Sequence, residues 1–216
     1  MENIITLEHV SKSYRNQQVL KDVSVSFEKG KIHGIIGRNG SGKTQMFKVI
    51  AGYVLPDCGN VVVNGERIGV KTDYPRDLGM LIEAPGFLPA YSGLFNLQML
   101  AAMNTKLTRE QLLQALHNVG LEGAVHKKVG QYSLGMRQRL GIAQAIMNEP
   151  QVIILDEPFN GLDNAGVKEI RNLLIRLRIE GKTILLSSHH AEDIKALCNT
   201  VHEMESGTIQ TISVNE

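Results

Sequence analysis

Eight residues, Gly37-Arg38-Asn39-Gly40-Ser41-Gly42-Lys43-Thr44, constrain this 216-residue chain more than any other segment. They fit the pattern G-x-x-x-x-G-K-[ST], in which each fixed position has a physical task. The glycines let the backbone curl until successive N–H groups point into one concavity, which suits an anion. Lys43 adds a cation for the outer phosphates of a nucleoside triphosphate, and Thr44 offers a hydroxyl to Mg²⁺. The flanks agree with this reading. The apolar run 32–36 predicts a buried strand entering the loop, and residues 45–51 predict a helix leaving it. The phosphates would then lie at a helix N-terminus, where unpaired N–H groups and the macrodipole favour negative charge.

A strand, loop and helix in this order call for an α/β fold, and the remaining elements support one. Residues 4–10 and 19–27 read as strands around a turn at Arg15-Asn16-Gln17, and Val61–Val63 followed by Asn64-Gly65 reads as a hairpin. Leu78–Ile82 is another strand. From about 86 to 147 the periodicity is helical: Thr108-Arg109-Glu110-Gln111 has capping-box spacing, and Leu112, Leu113, Leu116 and Val119 follow at helical intervals. Strands return at 152–155 and 183–187 around a helix over roughly 164–180, and Gly207 centres a last hairpin, 201–205 with 208–212. The expectation is one domain, 1–216. Its core spans about 1–85 and 148–216, with an antiparallel β part, and is interrupted by a helical insert at about 86–147. So few residues follow the last hairpin that no C-terminal regulatory domain is expected.

Composition excludes more than it assigns. With 43% hydrophobic and 21% charged residues the chain reads as an ordinary globular protein. The net charge of +1, with no basic cluster, argues against a nucleic-acid partner. Met1-Glu2-Asn3-Ile4 lacks the opening of a signal peptide, and no apolar run approaches the roughly 18 residues that span a bilayer. A cytoplasmic location follows as an expectation, with any membrane part supplied by another chain. Cys58 and Cys198 have no metal-ligand spacing and are expected to be buried free thiols. Met80, Met99, Met103 and Met147 are expected in the core, and His190 as surface filler.

A second chemical segment is Val152-Ile153-Ile154-Leu155-Asp156-Glu157. A buried parallel strand would deliver both carboxylates at its C-terminal edge, where open α/β sheets bind ligands. Asp156 there can hold Mg²⁺ directly or through water. Glu157 is placed to polarise an attacking water. On its own such a dipeptide is also an ordinary solvated strand end; the phosphate loop upstream favours the catalytic reading.

These motifs, in this order, resemble the ATP-binding subunit of ABC transporters over nearly the whole chain, which implies a P-loop NTPase core with bound ATP. Tyr14 stands where that family has an aromatic residue stacking on adenine. Tyr132-Ser133-Leu134-Gly135-Met136 resembles the family signature, usually LSGGQ, and Arg137-Gln138-Arg139-Leu140 continues it. Gly161-Leu162-Asp163 matches the loop that crosses the dimer interface, and Leu186-Ser187-Ser188-His189 the switch histidine. The resemblance implies a head-to-tail pair, a homodimer or a heterodimer with a second ATPase subunit. In it Ser133 and Gly135 meet the γ-phosphate held by the other subunit. Seen alone, Ser133 is a plain helix N-cap.

Two departures stand out. Leu134 and Met136 replace the usual glycine and glutamine of the signature, and Glu83 replaces a glutamine that serves the metal. Glu83 can still reach Mg²⁺ but adds negative charge beside the phosphates. With the variant signature, it resembles the bacitracin and lantibiotic exporter branch. That implies a membrane-spanning permease subunit, to which this chain would bind peripherally on the inner membrane face. The apolar segment Pro85–Tyr91 is then either packing between lobes or part of a groove for a permease helix. The competing class is a soluble ATPase of the same type acting as a regulator or assembly factor.

Overall fold

The computed structural model describes residues 2–83, 86–104, 107–189 and 191–212. In chain order they form β1 (Asn3–Tyr14), β2 (Gln17–Glu28), β3 (Ile32–Ile36), α1 (Lys43–Ile50), β4 (Cys58–Val63), β5 (Glu66–Arg67), β6 (Leu78–Leu81) and α2 (Gly93–Asn104). Next come α3 (Arg109–Asn118), α4 (Leu134–Ile146), β7 (Val152–Leu155), α5 (Asn164–Ile179), β8 (Thr183–Ser187), α6 (Ala191–Leu197), β9 (Thr200–Glu205) and β10 (Thr208–Ile212). Two sheets result. One is antiparallel in the order β2-β1-β4-β5; the other runs β10-β9-β3-β8-β7-β6 and is parallel except at its β10 edge.

Strand alternation sets the layering. Ile153 and Leu155 of β7 enter a core shared with α2, α3, α4 and α5, whereas Val152 and Ile154 enter one shared with α1 and the antiparallel sheet. All four are fully buried, as a parallel strand covered on both faces requires. The C-terminal ends of β3, β7 and β8 therefore share one edge, where the loop at 37–42 and the turns at 156 and 188 emerge.

Several boundaries moved for local reasons. β1 and β2 run 12 residues each, beyond the predicted 4–10 and 19–27. Their pairing register shifts between Leu7 and Val10, where His9 adopts φ 52°, and such a bulge breaks the alternation that marks a strand in sequence. α1 starts at Lys43 rather than Gln45, because Gly42 (φ 114°) is its N-cap and Lys43-Thr44 carry no apolar signal.

Between β6 and β7 the described residues form helices and turns and no named strand. The capping box is present: Gln111 N–H donates to Thr108 Oγ1 (3.3 Å) and Thr108 N–H to Gln111 Oε1 (2.8 Å). Tyr132 fills the helical core at 3% exposure, its hydroxyl donating to the Ala124 carbonyl at 2.8 Å. The C-terminal half of α4 lies directly on the parallel sheet, since a Cβ at Gly79 would fall 1.7 Å from the Ala145 carbonyl oxygen.

Other expectations fail. Cys58 is exposed, at the start of β4, so only Cys198 is sheltered; burial pushes the Cys198 thiol up to about 12. Met147 is buried and Met80 packs against a core, but Met99 and Met103 are 48% and 75% exposed. Their helical spacing is that of an outward face. Pro85 and His190 lie outside the described residues. Among the described residues no helix is long and apolar enough to cross a membrane.

Candidate active site

The loop at 37–42 is held from outside and inside. A Cβ on Gly37 (φ 149°) would fall 2.2 Å from the Met204 carbonyl oxygen of β9, so only glycine lets the loop lie against that strand. From the β9–β10 turn, Gly207 N–H donates to the Ser41 carbonyl (2.9 Å). Inside, the buried Lys43 ammonium donates to the carbonyls of Gly37 (2.7 Å) and Arg38 (3.2 Å). Asn39 and Gly40 line an open cavity of about 1290 Å³ with Ser188 and His189. Ser41 Oγ is buried and has no hydrogen-bond partner among the described residues, an orphan donor that a phosphate oxygen would satisfy.

Asp156 and Glu157 follow β7 at this edge. Both Asp156 oxygens are engaged: Thr44 Oγ1 donates to Oδ2 and Ser187 Oγ to Oδ1, each at 2.6 Å. The same Ser187 Oγ accepts from Glu157 N–H (2.8 Å), and Gln138 Nε2 of α4 donates to the Glu157 carbonyl (3.0 Å). These bonds hold Glu157 in the left-handed region, φ 51°, a conformation that strains a non-glycine residue and clusters at functional sites. Its carboxylate turns to His189, with Oε2 2.8 Å from Nδ1. Thr44, Asp156, Glu157 and His189 thus form one bonded series.

Glu83 is elsewhere. Its Oε1 accepts from Lys48 Nζ at 2.6 Å, with the Glu83 side chain 61% exposed. Lys48 lies four residues after Thr44, on the same face of α1. The helix therefore binds one carboxylate at each of two neighbouring strand ends, Asp156 through Thr44 and Glu83 through Lys48. The extra negative charge expected of Glu83 is matched by a local cation. Tyr14 is 44% exposed at the end of β1 and donates from its hydroxyl to Gln45 Oε1 (3.0 Å), which ties its ring to the start of α1.

Ser133, Gly135 and Asp163 make a second cluster. Ser133 Oγ accepts from Met136 N–H (3.2 Å) as the N-cap of α4, and Asp163 Oδ1 accepts from Gly166 N–H (2.9 Å) as the N-cap of α5. Gly135 packs on the 161–163 turn, where a Cβ would lie 2.7 Å from the Gly161 carbonyl oxygen, and Leu134, 63% exposed, covers Gly161. The side-chain hydrogen bonds of Ser133 and Asp163 stay within the heads of α4 and α5.

Ser187, Gln138 and Lys48 take part without a role assigned from sequence. Ser187 had a usable signal, a hydroxyl ending an apolar strand at the ligand edge, and so had Lys48 by its spacing from Thr44. Gln138 had none, because its contact depends on how α4 crosses the sheet.

A parallel sheet with a glycine loop at its edge, a lysine and threonine opening the next helix and an acidic pair on a neighbouring strand defines a P-loop nucleoside triphosphatase. The comparisons narrow the class. The family model for ABC transporter matches residues 20–160, so the chain belongs to that family, as an ATP-binding subunit with ATPase activity. It is 37% identical over 208 residues to an uncharacterised ABC transporter ATP-binding protein of Bacillus subtilis (strain 168), covering 96% of this chain and 95% of that one. It is 39% identical over 220 residues to the bacitracin transport ATP-binding protein BcrA of Enterococcus faecalis, covering 100% of this chain and 71% of the relative. To the lantibiotic transport ATP-binding protein SrtF of Streptococcus pyogenes it is 34% identical, covering 95% and 89%. Among solved structures, an ATP-binding subunit of an ABC transporter superposes with TM-score 0.87 at 27% identity, over 98% of this chain and 90% of that one. A dimeric ATP-binding cassette in a post-hydrolysis state with ADP and Pi gives 0.88 at 24% identity, over 98% and 99%, a likeness of fold.

Proposed function

We propose that this chain hydrolyses MgATP at two composite sites of a head-to-tail dimer and so drives a membrane permease that exports a peptide antibiotic or lipid-like compound. The Thr44–Asp156–Ser187–Glu157–His189 series carries the reading, because it joins a metal-binding edge to a base within one chain. The phosphate chain of ATP would lie on the N–H groups of 37–42 with Lys43 beside it, and the adenine on Tyr14.

The residues present fit Mg²⁺. Thr44 and Asp156 supply hard oxygen ligands of the kind Mg²⁺ takes. A cation held there would take its remaining ligands from water and phosphate, as Mg²⁺ does. When bound it neutralises charge developing on the phosphates. Glu157 orients the attacking water and accepts its proton at the carboxylate, and His189, half-exposed beside it, faces the γ-phosphate. Ser133 and Gly135 would meet the γ-phosphate of the opposite subunit through the N-terminus of α4.

The permease reading draws on the outer face of α2 and the turn that leads into it. Tyr91, Phe95, Met99 and Met103 recur every four residues and are 37–75% exposed, the first two with stacked rings 4.5 Å apart. With Leu88 they make an apolar stripe suited to a short amphipathic helix, which favours a membrane partner over a free-standing regulator. The names of the bacitracin and lantibiotic relatives support the cargo class.

Glu157→Gln tests the core of the proposal. The amide keeps size but removes the basic oxygen, so kcat should fall at least about 10²-fold while ATP is still bound. The variant should run as an ATP-dependent dimer in gel filtration. Turnover at the wild-type rate would move the base to another residue, and a permease that never copurifies from detergent-solubilised membranes would remove the transport half.

A further inference from the structure

Three consecutive residues at the end of β8 are tied through their side chains to neighbouring elements, and two of those ties, both to the turn after β7, belong to the series above. Ser187 bonds Asp156 and His189 bonds Glu157. Between them, Ser188 is 1% exposed and donates from Oγ to Asp193 Oδ2 at 3.0 Å. Asp193, on α6, is itself 2% exposed. Its other oxygen receives two donors of Arg171, Nε at 3.0 Å and a terminal guanidinium nitrogen. Arg171 lies on α5, two turns beyond the cap at Asp163.

We infer that Arg171 and Asp193 are positioning residues for hydrolysis, which act by fixing the Ser188 hydroxyl and so the direction in which His189 leaves the sheet. A carboxylate this deeply buried is retained at a desolvation cost, and it is held by a forked cation and a hydroxyl. The hydroxyl belongs to the residue preceding His189, so rotation of that turn would strand a buried acceptor. A histidine that must touch both Glu157 and a phosphate tolerates little displacement, since about 1 Å of misplacement can cost on the order of 10²-fold in rate. The same α5 begins at the 161–163 turn, so a shift of that turn reaches His189 through Arg171.

The inference rests on the role given to His189, and the test separates the two. Ser188→Ala leaves the Arg171–Asp193 pair in place and should fold. It should lower kcat roughly tenfold with KM for ATP unchanged and a melting temperature lowered less than by Asp193→Asn, and Ser188→Thr, which restores the hydroxyl, should recover the rate. In a His189→Ala background, Ser188→Ala should cost nothing further. Asp193→Asn should lower both kcat and the melting temperature. If His189→Ala turns over normally, the role of His189 is wrong. If His189→Ala is inactive while Ser188→Ala keeps full kcat, or if Ser188→Thr fails to recover it, the positioning inference alone is overturned.

Discussion

The two clusters of candidate site residues differ in how far each completes itself. At the edge of the parallel sheet, polar groups answer one another across α1 and the ends of β7 and β8: Thr44 of α1 to Asp156, Ser187 of β8 to Asp156 and Glu157, His189 to Glu157. At the head of α4, Ser133 and Gly135 answer, among the described residues, their own helix and the 161–163 turn. One cluster holds a base and metal-binding oxygens; the other offers a capped helix end, a close-approach glycine and exposed Leu134. A helix N-terminus is an anion site lacking an anion from its own chain, and that incompleteness is what a composite site in a dimer predicts.

Breaking the second cluster should therefore abolish activity without touching binding. Ser133→Arg places a long cation at the cap, and ATP affinity of the monomer should stay at the wild-type value while hydrolysis falls by about 10² or more. Mixed with Lys43→Ala, which cripples the loop, it should regain part of the rate, because that heterodimer contains one intact composite site. Heterodimers that form yet show no recovery at any ratio would make the head of α4 a structural cap only.

Acid should separate the two regions by stability. His33 of β3 and His202 of β9, the strand that braces the phosphate loop, are buried beside Phe27, with ring centroids 5.2 and 5.1 Å from it. Burial, and then the charge of His33, holds His202 down at about 4, and burial lowers His33. Both values lie below the ordinary 6.5, so the unfolded chain takes up protons first. Stability is full above pH 6.5 and declines as pH falls towards 4, by on the order of 2 kcal/mol near pH 5. Urea unfolding at pH 7 and pH 5 measures this, and amide exchange should rise in β9 before it rises in α4. Equal stability at the two pH values would mean that the pair is charged or exposed in the folded protein.

Legibility in sequence followed the range of the interaction. The loop 37–44, the run into Asp156-Glu157 and the capping box at Thr108 are local patterns whose physics is complete within eight residues, and they stand where predicted. Length and facing were harder. Past the bulge at His9 the end of β1, residues 11–14, went unread, and Met99 and Met103 have core-like spacing yet face outward, since periodicity reveals a stripe but not which side is covered. Least legible were partners joined by topology alone. Arg171 with Asp193 and Gln138 with Glu157 meet only because α4, α5 and α6 pack on one sheet.

Lys48 and Glu83 sharpen the comparison most finely, because they lie at the boundary of the first cluster. Glu83 places a carboxylate two residues beyond β6, and Lys48 at 2.6 Å offsets it, on the helix face that also carries Thr44. The pair is partly exposed, so a coupling of only about 0.5 kcal/mol is expected, weakening with salt. Lys48→Met leaves the carboxylate unmatched and should raise KM for MgATP about twofold to threefold at low ionic strength, with little change in kcat. Glu83→Gln removes the charge that Lys48 opposes, so adding Lys48→Met to it should change nothing more. Losses that simply add in the double variant, at both low and high salt, would mean that Lys48 supports the helix and has no electrostatic tie to Glu83.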